Sequence, residues 1–292
     1  MPNSIDDARV QAFNATVNFL YQQKVSRTRD MAGQEKSADG KLIHFDRLGT
    51  VTAVKRTNRN QPTNLVDIIH SRRAAAPSFY DLALPVDPMD LDRIIIDPKS
   101  AYPQQIVASL VRALDAEMYG PGGSTFTGGM RGSALAGETG TSTPVVLPAG
   151  QKIAAGGTGM TMAKILNASQ LLNTAEVPQE GRFALVNARA IQDMLGITQL
   201  TNADYTSVKA LMSGEIDSFM GFKWRMYNYV AEAGTFFAVF LHNMAMGLAI
   251  PRNIETSIDK RVDLSNIWQV YGCEDVGSVR ILDEGVVECA YV

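Results

Sequence analysis

Between Gly181 and Val230 the sequence alternates short strand-like and helix-like runs so regularly that it specifies a compact α/β layer, and the remainder of the chain reads as additions to that layer. Arg182 to Val186 is apolar and strand-like, Asn187 can cap a helix over Ala188 to Leu195, and Gly196 can end it in a left-handed conformation. The cycle repeats: Asn202 can cap Ala203 to Ser213, Gly214 ends that helix, and Glu215 to Met220 passes through Gly221 into Phe222 to Asn228. In this last run Phe222, Trp224 and Met226 alternate with Lys223, Arg225 and Tyr227, the period of two that marks a half-buried strand.

The order Arg-Phe-Ala-Leu-Val-Asn, short helix, Asp-Tyr, helix, Leu-Met-Ser-Gly-Glu-Ile, Met-Gly-Phe resembles the central domain of tailed-bacteriophage major capsid proteins. An ordinary α/β enzyme layer is the alternative from this stretch alone. A second resemblance lies upstream. Asp90 to Asp97-Pro98 and Tyr102-Pro103 lead into a helix over 103–119, with Pro103 suited to its first turn and Gly120 to its end. Ile106, Val107, Leu110, Val111, Leu114 and Met118 form its apolar stripe, and the phrase is similar to the family's entry into a long peripheral helix. Arg112 and Asp115, three apart, read as a surface or inter-helix ion pair. After a Gly/Ser/Thr-rich stretch with short strands at Thr143 to Leu147 and Gln151 to Ala154, Thr161 can cap a helix over Met162 to Leu172. Past Pro251 four strands are expected, at Ile254 to Arg261, Asn266 to Gly272, Gly277 to Leu282 and Val286 to Val292, and their phrases resemble the family's closing strands.

Toward the amino terminus, Val10, Phe13, Val17, Leu20 and Tyr21 fall at helical spacing, which predicts an amphipathic helix over 8–24. Ser26 to Gly40 has no periodicity and reads as an arm, held in place by a neighbouring subunit. Lys41 to Arg47 and Thr50 to Arg56 alternate around Leu48-Gly49, which predicts a β-hairpin, and a third extended run spans Asn64 to Ser71, closed by Arg72-Arg73. Such a ribbon has too little apolar surface to stand alone; in the capsid family a hairpin in this position reaches across an adjacent subunit, and the alternative is a hairpin folded back on its own body. Residues 1–75 carry a surplus of five positive charges, although the whole chain of 292 residues is at −3. A basic quarter of this kind suits either nucleic acid or the acidic body of another copy.

No constellation for catalysis is apparent. Gly156-Gly157-Thr158-Gly159 precedes a helix, yet Met160, Thr161 and Met162 stand where a dinucleotide or P-loop pattern requires other residues. His44, His70 and His242 have no partner at metal-ligand spacing, and Asp87, Asp90 and Asp92 read as a polar turn before a helix. Cys273 and Cys289 read as free buried thiols in a reducing compartment. Lys36, Lys41 and Lys55 lie near the hairpin, where some capsids of this family form Lys to Asn isopeptide bonds, but the sequence does not place the desolvated lysine and carboxylate base that this chemistry needs. Expected, then, are no catalytic residue, no cofactor and no metal. The acidic start lacks the basic and apolar segments of an export signal, and the run Phe236 to Leu241 with Met244 to Ile250 is too short to span a bilayer.

The resemblance implies an α+β phage capsid fold with these parts: an N-terminal helix and arm (1–40), an extended β-hairpin loop (41–76), a peripheral domain with the spine helix (77–175), a central axial α/β domain (176–250) and C-terminal strands returning to the peripheral domain (251–292). It implies pentamers and hexamers of this chain forming an icosahedral head, enclosing double-stranded DNA without sequence specificity, assembled in the bacterial host cytoplasm. Portal protein and a separate scaffolding protein are the further partners expected, with no membrane. Because the chain begins at Met1 without a long charged helical prefix, no maturation cleavage is expected. An encapsulin-type compartment around a protein cargo is the nearest alternative.

Overall fold

A computed structural model of the protein describes residues 22–292 except 39, 61, 64, 87–97, 123–125, 137–143, 197–217, 230–231, 233 and 265. In chain order the described strands are β1 (Gln34–Lys36), β2 (Ile43–Leu48), β3 (His70–Ala75) and β4 (Ser78–Val86). Helix α1 (Pro98–Tyr119) is followed by β5 (Leu135–Ala136), β6 (Lys152–Ile153), α2 (Met162–Thr174), β7 (Arg182–Val186) and α3 (Ala188–Leu195). The chain closes with β8 (Ser218–Phe219), β9 (Phe222–Met226), β10 (Phe236–His242), β11 (Met246–Arg261), β12 (Ile267–Arg280) and β13 (Val286–Tyr291). The expected helices over 8–24 and 203–213 and the acids Asp87, Asp90 and Asp92 lie outside the described residues, as does most of the phrase before Pro98.

The chain divides into two compact units. The first comprises the described parts of Met1–Val25, Phe79–Arg112 and Ile254–Glu274. Its core places Ile106 and Leu110 of α1 against Val86 and Val270, with Leu84 and Trp268 at the margin. Gly272 is where helix and strand meet: a Cβ there would run into the Ile106 side chain, so the close approach depends on glycine.

The second unit comprises Ser26–Ser78, Ala113–Asn253 and Asp275–Val292. Its six-stranded sheet has the order β6-β13-β10-β7-β9-β8. β7 pairs antiparallel with β10 and parallel with β9, and all five of its residues are buried, as a central strand covered on both faces requires. Ala184, Val186, Phe240, Val287 and Cys289 from this sheet pack with Ile165 and Leu172 of α2 and Ala190 of α3. The α/β layer anticipated at 181–230 is therefore present wherever it is described. Asn187 caps α3 as expected, its side chain accepting from the Arg189 N–H at 3.4 Å. Gly196 closes that helix at φ −70°, in the right-handed region rather than the left-handed one.

Four further expectations change. The helix expected over 103–119 begins at Pro98, so Pro98 takes the first helical position and Pro103 lies inside. It still ends at Gly120, whose φ of +60° satisfies Ala116 C=O. Thr161 precedes α2 without a side-chain cap bond, and the helix runs to Thr174. The strands expected at 266–272 and 277–282 are one strand, β12, because Gly277 lies flat against Ala76 and Pro77 and does not turn the chain. The stretches expected as strands at 143–147 and 151–154 shrink to a single bridge, Ala134 to Val145, and the two residues of β6.

The hairpin is the largest correction. No turn forms at Leu48-Gly49: β2 pairs antiparallel with β3, from Ile43 opposite Ala75 to Leu48 opposite His70, and the described residues of 49–69 contain no strand. Val51 and Val54 are three apart and would face opposite sides of any strand, so 50–56 cannot cover one face. Ala75 is buried opposite Ile43, Phe45 lies opposite Arg73, and Ile43, Phe45 and Ala75 enter a core with Ala249, Val279 and Ile281. Arg72 and Arg73 consequently sit within the ladder instead of closing it.

Candidate functional site

Three surfaces set this molecule apart from an enzyme layer, and each begins in the second unit. The first is the arm. Residues 26–36 are bonded to the chain's own body. Asp115 of α1 is fully buried and accepts from Ser26 Oγ (2.6 Å), Arg27 N (2.9 Å), Thr28 N (3.2 Å) and Thr28 Oγ1 (2.7 Å). Bonds to an ionised acceptor are the strong ones, and four converge here. Arg112 donates to Gln22 instead, so the expected Arg112 and Asp115 surface pair does not form. Beyond this clamp Met31 is buried, Gly33 donates to Asn243 C=O, and β1 runs parallel to β11 from Gln34 opposite Gly247 to Lys36 opposite Ala249.

The second surface is the excursion between β2 and β3. Gly49 N donates to Ile69 C=O at 2.8 Å, the last bond that closes it. Beyond that point Val51, Val54, Leu65, Val66, Ile68 and Ile69 are all exposed, Leu65 to 91% and Ile69 to 77%. Lys55, Arg56 and Arg59 are exposed among them. Scattered exposed aliphatics are ordinary, but six lie here within one segment whose described residues form no strand or helix.

The third lies at the base of that excursion. Arg47, Arg72 and Arg73 share a cavity of about 730 Å³ with Asp46, His70 and Ser71. Arg72 pairs with Asp46 (2.6 Å) half in solvent, whereas Arg73 is 4% exposed and pairs with Asp283 (2.8 Å). Arg280, fully buried, takes the other oxygen of Asp283 (2.6 Å). The two adjacent arginines, which the sequence presents as one basic dipeptide, are thus unlike in environment.

Deeper in the unit, Arg131 is buried against Glu288 (2.9 Å), the Tyr119 hydroxyl (3.1 Å) and Glu232, with its guanidinium 3.9 Å from the Phe237 ring centre. Burial by itself lowers its pKa, but the bonds to Glu232, Tyr119 and Glu288 outweigh it and the net direction is up. Desolvation pushes the Tyr119 hydroxyl up, so the phenol stays neutral and donates to Phe237 C=O. This is a cross-link between helix end and sheet, with nothing reactive about it.

The glycine turn is also structural. Gly156 and Gly157 adopt positive φ and, with their neighbours, turn the carbonyls of Ala155, Thr158 and Gly159 toward Lys164 Nζ at 2.9 to 3.0 Å. Ala290 C=O completes the set at 3.1 Å, and the Asp193 carboxylate accepts from Met160 N. A pocket of carbonyls with a carboxylate beside it suits a cation, and the chain supplies its own. Desolvation lowers the Lys164 pKa.

His44 lies in β2, His70 opens β3 and His242 ends β10, where its Nδ1 accepts from Met244 N and burial pushes its pKa down. Among the described residues no three His, Cys, Asp or Glu are placed to hold a metal, and no helix is long and apolar enough to cross a membrane. Cys273 and Cys289 are buried free thiols, and desolvation pushes Cys289 up to about 12. Sequence reasoning gave Asp115 the wrong partner and missed Arg131 and the link from Arg73 to Asp283, whose partners lie up to 210 positions away, as well as the local Arg280 and Asp283 pair. The one available signal was a charge set between strand apolars, as in Val279-Arg280-Ile281.

No curated protein is similar enough in sequence to count as a relative. Solved structures are similar in fold. The capsid of the cyanophage P-SCSP1u superposes with a TM-score of 0.73 at 16% identity, over 99% of this chain and 94% of that one. A chain of Mycobacterium phage Che8 gives 0.68 at 16%, over 96% of each, and the capsid of a native GTA particle gives 0.71 at 12%, over 97% and 95%. The sequence itself matches the phage capsid protein family model from residue 5 to residue 292. That is a family of structural shell proteins, which sets aside the reading of the α/β layer as a soluble enzyme. From the arm to the last strand, the chain belongs to the phage capsid protein family.

Proposed function

We propose that the chain is the major shell subunit of a tailed-bacteriophage head, that its copies gather as pentamers and hexamers around the α/β region 176–250, and that the shell encloses double-stranded DNA without reading its sequence. Residues 77–175 and 251–292 act as the peripheral domain around α1, 1–40 as the arm and 41–76 as the extended hairpin loop. The observation that carries this is the excursion 49–69: six exposed aliphatics on a segment without regular structure have no cover in a lone subunit. A neighbouring copy supplies that cover. Scaffolding protein and portal are the partners such a head requires, and assembly takes place in the host cytoplasm.

Electron micrography of particles purified after expression with the scaffolding protein tests this. Closed shells with fivefold and sixfold capsomers, filled with DNA in the infected cell, are expected. Particles around a protein cargo, or open sheets only, would contradict it.

A further inference from the structure

The cavity at the hairpin base holds a charged group that the fold leaves incomplete. Arg73 Nη2 is paired with Asp283, but its Nε and Nη1 are out of reach of solvent and have no hydrogen-bond partner among the described residues. Both oxygens of Asp283 are already engaged, Oδ2 by Arg73 Nη2 and Oδ1 by Arg280 Nε. Arg280 is itself complete, its other nitrogens donating to the carbonyls of Met130, Gly132 and Val145. Arg47, on the same wall, donates to Ser71 Oγ and Ile281 C=O, neither of them anionic. Burial lowers the Arg73 pKa, and Arg47 and Arg280 act with it against Asp283 and Glu284. Idle donors on a buried guanidinium destabilise the isolated subunit, and an arriving acceptor removes that cost.

We propose that this cavity is an anion pocket that receives the carboxylate of an Asp or Glu side chain from a second copy of this chain, with Arg73 and Arg47 as its donors. Residues 1–75 hold a surplus of five positive charges and the remainder of the chain a deficit of eight, so a second copy offers the complementary sign. Arg73 lines the cavity with its free donors beneath the surface, so the acceptor must enter deeply, which suits a flexible acidic side chain and not a phosphate fixed in a duplex backbone. The inference rests on the shell reading above, since it needs copies in contact.

The test is zero-length cross-linking of assembled shells that carry Arg73→Lys, using a carbodiimide on a mixture of ¹⁴N and ¹⁵N subunits. The expected result is a dimer-sized product in which mass spectrometry joins position 73 to an Asp or Glu of the other isotope. A product confined to one copy, joining position 73 to Asp283 or Glu284, overturns the proposal, and so does the absence of any product. Arg47→Lys repeats the test on the half-buried neighbour if the first variant does not assemble. Arg73→Met, which leaves Asp283 paired with Arg280, should leave the subunit folded and raise the concentration needed for assembly about tenfold. Unaltered assembly with lost DNA content would assign the pocket to phosphate and overturn the proposal. If the unmodified chain forms no shell, the shell reading fails; if shells form without the intersubunit link, only this inference does.

Discussion

A single carboxylate organises the arm. Asp115 accepts from both side chains and backbone of residues 26–28, so Asp115→Ala removes several charge-assisted bonds at once and strands their donors. A loss of about 3 kcal/mol in urea unfolding is expected, with trypsin cutting after Arg27 and Arg29 at a rate well above that of the unmodified protein. Unchanged cleavage would mean that β1 alone anchors the arm. A second prediction concerns Cys289, where burial raises the thiol from its ordinary value to about 12. The folded state therefore holds this proton more tightly than the unfolded state. Its contribution is fully present below the unfolded pKa near 9 and is lost as pH rises through the folded value. Cys289→Ala should flatten the alkaline decline between pH 9 and 11 by about 1.4 kcal/mol per pH unit. A decline equally steep in the variant would assign it to other groups, such as Tyr229 and Tyr291, whose hydroxyls are 3.0 Å apart and whose pKa values burial also raises.

At the scale of elements, helix α1 lies on β12 because one residue has no side chain. Gly272→Ala should cost about 1–3 kcal/mol, as the added methyl displaces Ile106, and Ile106→Ala in the same chain should recover part of that cost. Strictly additive losses in the double-mutant cycle would show that the contact does not limit the packing. The same elements show what a sequence can and cannot disclose. The stripe Ile106, Leu110, Leu114 and Met118 gave α1 its face by period alone, and all four side chains are buried. The five residues of β7 and the cap at Asn187 were equally readable, because local spacing and local hydrogen bonds determine them. Strand pairing was not. Whether Ile43–Leu48 pairs with 50–56 or with His70–Ala75 depends on which partner lets Phe45 reach Ala249 and Val279, and those residues lie some 200 positions downstream. The ion pairs of Arg73 and Arg131 were hidden for the same reason.

For the whole molecule, membership of the phage capsid protein family and the fold shared with solved capsids make this a component of a virion shell. Within the chain there is a division of labour. β2 and β3 belong to the body, since Phe45 is fully buried, whereas 49–69 is the segment we propose a neighbouring copy covers. A deletion from Lys41 to Pro62 would therefore unfold the subunit, and Arg73→Glu would bury a second carboxylate against Asp283, so neither isolates assembly. The measurement that does is sedimentation velocity on the unmodified chain and on a variant in which residues 50–68 are replaced by a short Gly/Ser turn, each with scaffolding protein. The variant should melt at the same temperature as the unmodified subunit and sediment only as monomer or small oligomer, while the unmodified chain forms shells. Closed shells from the variant, or unfolding of its monomer, would contradict the claim that this segment is completed by a neighbouring copy.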